Sequence, residues 1–338
     1  MKKRILSGIA SSGDGMLHIG NYLGAVRQFL EFQKKYDCFY FVADLHGLTT
    51  VQDKKKMQRN VENLVLNYLA LGIDPEKSTF YRQSDLPEHT ELQSILNNVT
   101  PLGLIKRCHA YKDKLQKGES EESINMGLFC YPILMAADIL LYKPDLVPVG
   151  KDQKQHVEIA RDIAQRFNST FGKVFKLPKA YIPEEVAVIV GTDGKRKMSK
   201  SLGNYISIFG SEKDIKEQVM GCFTDPKRIH GDEPGTVAGN PVFLYHQLLN
   251  DNKEEVKDLQ ERYKKGKVGD VEVKEKLFAA LMRKFGPARE RYEELKKSPE
   301  KVREILRKGA EKVRKVGRKM MEEVRETVGL RNKYSPKN

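Results

Sequence analysis

Residues 12–25, SGDGMLHIGNYLGA, set Gly13, Gly15 and Gly20 around a histidine and an asparagine. The opening has the form of a dinucleotide-binding glycine turn. However, His18 stands where a third glycine would let helix and strand pack closely, and Gly20 arrives two residues late. An acidic residue about twenty positions on, which would bind a ribose, is also missing, since Asp44 comes too late. The glycines still permit close backbone approach. The first N–H groups of a helix have no partner within it and point at an anion. His18 and Asn21 add side-chain donors to the same surface, so the chemistry is phosphate binding. Taken alone, the stretch is also readable as a tight turn with a capping histidine.

A second constellation, GTDGKRKMSKSLGN at residues 191–204, puts Lys195, Arg196, Lys197 and Lys200 beside Ser199 and Ser201 between glycines. Cations and hydroxyls on a loop that can move make a phosphate clamp. Such a clamp stabilises charge that develops during phosphoryl or nucleotidyl transfer. By itself it reads more readily as a basic surface loop.

The hydrophobic pattern says what must position these residues. Residues 4–9, 38–44 and 78–84 read as strands, and 19–34 and 54–71 as helices. The segment 111–123 is charged and without period, which predicts a mobile loop. A second unit follows, with helix 128–142, strand 146–149 and helix 153–168. Strands alternating with helices imply an α/β chain whose parallel sheet is covered on both faces, with ligands beyond the carboxyl ends of the strands. After Asn204 the strand signal fades. The best helix there opens at Ser298 and Pro299, a good N-cap and first-turn pair, and closes at Gly329. Val302, Ile305, Leu306, Val313, Val316, Met320 and Val324 share one of its faces. Arg303, Arg307, Lys308, Lys312, Arg314, Lys315, Arg318 and Lys319 crowd the rest, as on many solvated helices. The expected division is a catalytic domain over 1–204, a helical domain over 205–330 and a polar tail over 331–338.

The chain has 338 residues, enough for one large core or two unequal ones. Its 60 Lys and Arg exceed 46 Asp and Glu, a formal charge of +14 that favours a polyanionic partner, nucleic acid first. A merely lysine-rich soluble chain is the alternative. No apolar run is long enough to span a bilayer, and MKKRILSGIA leads straight into patterned sequence, so the expected location is cytoplasmic. Cys38, Cys108, Cys130 and Cys222 lie far apart without CxxC spacing. They spell neither a disulfide framework nor a zinc site and read as reduced, packed thiols. Tryptophan is absent.

HIGN at 18–21 and KMSKS at 197–201, in that order, resemble the two signatures of class I aminoacyl-tRNA synthetases. MAADILLY at 135–142, followed by VPVGKDQKQHVEIARDIAQRFN at 147–168, closely resembles the bacterial-type tryptophanyl-tRNA synthetases, and the likeness runs nearly the whole chain. The resemblance implies a Rossmann-like parallel-sheet catalytic domain of the HIGH/KMSKS type with an α-helical, anticodon-binding-like C-terminal domain. It also implies ATP with Mg2+, L-tryptophan and tRNA(Trp) as ligands, a homodimer, and no protein-bound metal or membrane. The iron–sulfur cluster of some relatives is excluded, because Cys222 is the only cysteine after Asn204.

Carried over position by position, the resemblance makes His18, Asn21, Lys197 and Lys200 catalytic. It assigns ATP to Ala10, Ser11, Ser12, Gly20, Asn21, Gly150, Lys151, Asp152, Ile189, Lys197, Met198, Ser199, Lys200 and Ser201, with Gly150 and Asp152 at the ribose. For tryptophan, Asp138 matches the acceptor of the indole N–H. Tyr131 and Gln153 match positions that hold the ammonium or carboxylate, and His46, Met135, Val147 and Val149 match the indole pocket. Ordinary core packing would explain those last four equally well; His156 and Glu158 read as structural. The physics of Asp138 agrees. Its helical neighbours Leu134, Met135, Leu141 and Tyr142 are apolar or aromatic, so its carboxylate is costly unless a donor meets it. A neighbouring helix end or a lysine would serve as well as a substrate. The chain also departs from the family. Ala10 and Ser11 stand where a Gln or Arg and then a Pro are common, and the loop is lengthened at SSGDG. A tyrosyl enzyme, a small-molecule nucleotidyltransferase and an RNA-binding paralogue without activation chemistry share parts of the same pattern.

Overall fold

The computed structural model describes residues 2–10, 13–116, 118, 120–150, 153–182, 189–225, 228 and 230–331. Strands β1 (Arg4–Ala10), β2 (Asp37–Ala43) and β3 (Ser78–Arg82) pair in parallel in that order. β2 reads DCFYFVA and is buried on both sides after its first residue, the near-continuous apolar run of a parallel strand covered on both faces. On the other edge of β1, Ile5 bridges to Leu146. That contact brings in the second parallel pair, β4 (Val147–Pro148) and β5 (Ala180–Tyr181). The resulting order is 3-2-1-4-5. It reverses between β1 and β4, and a crevice opens beyond their carboxyl ends.

Helix α1 leaves β1 in three joined pieces, Ile19–Asn21, a π-helical Tyr22–Val26 and Arg27–Lys35. The period predicts an unbroken α-helix. The wider turn instead carries Gly24 and Ala25, which line the crevice, and π-turns concentrate at functional sites. Helix α2 (Lys54–Leu71) is capped by Asp53, whose side chain accepts Lys56 N, and stops at Gly72 in the left-handed region. Helices α3 (Glu88–Asn97), α4 (Met126–Leu140) and α5 (Lys154–Thr170) complete the first half.

Within 111–123, expected to be a mobile loop without period, the described residues include regular turns, which corrects the irregular structure expected there. His109–Gln116 is helical and Glu121–Ser123 forms a 3-10 turn. Buried Tyr111 packs edge-on against Phe129, and Lys106 pairs with Glu121 at 2.7 Å. One aromatic and one ion pair anchor the segment, too few apolar positions to write a period.

Past Asn204 come helices α6 (Glu212–Met220), α7 (Pro241–Leu249), α8 (Lys253–Lys264), α9 (Asp270–Lys297) and α10 (Pro299–Thr327). Alternate strand residues feed two cores on opposite sheet faces: Ile5, Ile9, Tyr40, Val42 and Phe80 in one, Leu6, Phe39, Phe41 and Tyr81 in the other. The late helices belong to both. Phe243, Leu277 and Phe285 join the first core, while Val313, Met320 and Val324 of α10 join the second. α10 crosses the edge strand β3 at Gly309, where a Cβ would stand 2.0 Å from the Phe80 carbonyl oxygen. Its charges are partly engaged: Arg325 pairs with Glu91, and Arg307 with Glu304 and Glu311.

Gly309→Ala therefore pushes α10 away from β3. The expected loss is about 1–3 kcal/mol, read as a lower denaturation midpoint. Gly103→Ala, also helical and with nothing within 4 Å of the new methyl, is the control and is expected to hold or raise the midpoint.

Candidate active site

Backbone pairing brings the two distant motifs together. Ile19 N donates to Ile206 O at 3.0 Å and Ile208 N to Leu17 O at 3.3 Å, so the segment after KMSKS runs antiparallel beside the start of α1. Gly20 makes the contact close: a Cβ there would meet the His18 ring at 3.0 Å and Met198 Sδ at 3.1 Å. His18 caps α1, and its N–H donates to Asn21 Oδ1 at 3.0 Å. Its ring is buried, with Nδ1 lacking a hydrogen-bond partner among the described residues. Burial, followed by the charges of Lys200 and Lys197, brings the imidazole pKa down to about 4. The ring is neutral at neutral pH and acts as a hydrogen-bonding group without charge.

The basic loop is folded around Asn204. Asn204 Oδ1 accepts Ser199 N at 2.8 Å, and Nδ2 donates to Asp193 Oδ2 at 3.0 Å and Lys197 O at 3.2 Å. Asp193 also accepts the Lys195 and Arg196 amides, which hold its carboxyl well below the usual range. Met198 N donates to the carbonyl of Ile189 at 2.9 Å. Ser199 Oγ and Ser201 Oγ stand 2.9 Å apart, and Lys200 Nζ lies 2.7 Å from Asp14 Oδ1.

Beyond β1 and β4 lies a cavity of about 400 Å3, and Ala10, His46, Tyr131, Met135, Asp138, Val147, Val149, Gly150 and Gln153 all line it. Ser11, Ser12, Lys151 and Asp152 lie outside the described residues. Asp138 is 5% exposed, and its donor is neither a lysine nor a helix end. Gln83 Nε2 donates to both carboxylate oxygens at 2.8 Å, while Gln83 Oε1 accepts the His46 amide at 3.3 Å. His89 Nδ1 lies 2.7 Å from Asp138 Oδ1 but out of line for a hydrogen bond, and its Nε2 pairs with Tyr142 OH at 2.9 Å. Gln83 and His89 are fully buried, and the sequence reading missed both. The available signal was Gln83's position directly after a parallel strand, where site residues gather.

Tyr131 OH lies 2.6 Å from His156 Nε2, and its ring meets His46 edge-on at 4.9 Å. Burial pushes the Tyr131 phenol up to about 12, so it remains a neutral donor and acceptor. His156, read as structural, thus orients a cavity residue, while Glu158 pairs at the surface with Lys154 at 3.4 Å. Among the described residues no three His, Cys, Asp or Glu side chains group as metal ligands, and no helix is long and apolar enough to cross a membrane.

The family model described as tRNA synthetases class I (W and Y) matches residues 1–286. The chain belongs to this family. This synthetase is 47% identical over 304 residues to the tryptophan–tRNA ligase of Fusobacterium nucleatum, covering 90% of each chain. It superposes on tryptophanyl-tRNA synthetase from Campylobacter jejuni, solved with ADP and tryptophan, with a TM-score of 0.90 and 46% identity. That match covers 96% of this chain and 99% of the other. Tyrosyl-tRNA synthetase from Archaeoglobus fulgidus shares the fold, with a TM-score of 0.63 and 20% identity over 86% of this chain and 90% of its own.

Two outcomes follow from the geometry of this synthetase. Gln83→Met removes the amide from a buried carboxylate and is expected to cost about 1–3 kcal/mol in denaturant titration. For His18 the folded pKa of about 4 lies below the ordinary 6.5, so between those values the unfolded chain binds a proton that the folded one refuses. Stability is therefore lost as pH falls from 6.5 towards 4. Burial shifts His46 and His246 the same way, so His18→Asn should abolish only part of the fall in calorimetric melting temperature.

Proposed function

We propose that this synthetase joins L-tryptophan to tRNA(Trp) at the expense of ATP. The single observation that carries this reading is Asp138, a buried carboxylate on the wall of a largely apolar cavity that Gly24 and Ala25, on the helix that HIGN opens, also line. An indole N–H is a donor of the right kind for it. A substrate lacking that donor would forfeit a hydrogen bond to a buried carboxylate that Gln83 already holds in place, which gives discrimination. The relative solved with ADP and tryptophan supports an adenine nucleotide and tryptophan as ligands.

In the first step the tryptophan carboxylate attacks the α-phosphorus of Mg-ATP in line, and pyrophosphate leaves. Mg2+ enters with the nucleotide as part of the substrate. Positioning and electrostatics carry this step, because the carboxylate is already an adequate nucleophile and no covalent enzyme intermediate is needed. The start of α1, with Gly20 giving access and neutral His18 hydrogen-bonding, receives the nucleotide. Lys197 and Lys200 stabilise the departing pyrophosphate, with Ser199 and Ser201 beside them. Tyr131, oriented by His156, and Gln153 hold the amino acid's ammonium or carboxylate. Gly150 and Asp152 take the ribose, with Ser11, Ser12 and Lys151 completing the nucleotide contacts. Ala10 contributes only its methyl and backbone. The 3′-terminal hydroxyl of the tRNA then attacks the acyl carbon of the tryptophanyl-adenylate, forming the ester as the acyl–phosphate bond breaks and AMP leaves with the hydroxyl proton passing to solvent. A net charge of +14 suits that polyanion, and the resemblance supports a cytoplasmic homodimer with a helical anticodon-binding region after residue 204.

Tryptophan-dependent exchange of pyrophosphate into ATP tests the reading. Exchange with tryptophan and not tyrosine is expected, and exchange with tyrosine alone overturns it. Lys200→Ala should slow exchange about 10²- to 10³-fold while leaving tryptophan binding nearly unchanged. Because the chain has no tryptophan, the emission of added L-tryptophan reads its binding directly.

A further inference from the structure

The loop between β1 and α1 is built onto α2 by three asparagines. Asn60 Nδ2 donates to Gly13 O at 2.8 Å, Asn63 Nδ2 to Asp14 O at 2.7 Å, and Asn67 Oδ1 accepts Leu17 N at 3.0 Å. Residues 60, 63 and 67 recur at the three- and four-residue spacing of one helix face. Gly13 and Gly15 both have positive φ, and a Cβ on Gly15 would stand 2.1 Å from the Asn60 carbonyl oxygen, so the loop lies flat on the helix. This fixes the backbone of Asp14. Its Oδ1 accepts the Met16 amide at 3.0 Å, and both its oxygens meet Lys200 Nζ, at 2.7 and 2.9 Å. The ammonium also lies 5.6 Å from the centre of the Tyr205 ring.

The geometry points to Asp14 as a positioning residue that stands in for a phosphate: its carboxylate holds Lys200 at the nucleotide site until the triphosphate displaces it. The inference rests on the nucleotide reading of that site given above. A carboxylate with two oxygens on one ammonium offers the lysine the same kind of acceptor that a phosphate offers, with less charge. The pair is partly exposed, with Asp14 51% and Lys200 25% accessible, so it is weak enough to exchange. The anchored loop keeps the acceptor in one place, and so the lysine does not wander into solvent between turnovers. The cost is competition, since ATP must take Lys200 from Asp14.

Equilibrium binding of ATP, measured by calorimetry without turnover, tests this on the full chain. Asp14→Asn keeps the acceptor for Met16 N and removes the charge. It should tighten ATP binding about two- to fivefold at low salt, the range an exposed pair is worth, with the gain shrinking as salt screens the pair. In a Lys200→Ala background the same substitution should change nothing. An unchanged or weaker affinity in Asp14→Asn, or an equal gain without Lys200, overturns the proposal. If no variant and not the parent chain binds ATP, the nucleotide reading itself fails.

Discussion

The short backbone pairing between 17–19 and 206–208 is the constraint on which the site depends. It joins a turn near the start of the chain to one well past its middle, and it sets the loop that carries the clamp beside the start of α1. Because the bonds are main-chain to main-chain, they fix direction and register with little regard to side-chain type. Gly20 then sets the distance. With no side chain between them, His18 and Met198 close on each other, and the imidazole is buried beside Lys197 and Lys200, in an environment that keeps it uncharged.

The cavity follows a different logic, in which polar groups are held by other buried polar groups. Gln83 ties the backbone of His46 to the carboxylate of Asp138, His89 ties that region to Tyr142, and His156 ties down Tyr131. A buried network of this kind is costly where it is incomplete and rigid where it is satisfied. Rigidity is what a site needs that reads one hydrogen bond on an otherwise apolar ring. The departure at Ala10 places a methyl group on the cavity wall.

The helical half also supports the sheet. α10 covers the edge strand β3 and inserts Val313, Met320 and Val324 among residues from β1, β2 and β3. An edge strand left bare would offer unpaired backbone groups to other chains. Gly309 permits the crossing, and the bidentate Arg325–Glu91 pair locks the far end of the helix to α3. A surface that reads as basic helix in one dimension is in part a lid over the Rossmann-like sheet.

By itself the sequence determined what depends on neighbours along the chain. The doubly buried run of β2, the start of α10 at Pro299, the glycine loop before His18 and the apolar neighbours of Asp138 along its helix are all local patterns with physical causes. It also carried enough motif to place the chain in its family by resemblance. Three features were decided only by tertiary structure: the donor to Asp138, which lies 55 residues away, the partner of Lys200, which lies 186 away, and the π-turn facing the cavity. The helical turns after His109 belong with them, since Tyr111 packs on Phe129 and Lys106 pairs with Glu121. The reason is common to all of these. Which buried polar group meets which is set by how packed elements align their faces, and that alignment is a property of the assembled cores that no stretch of chain holds alone.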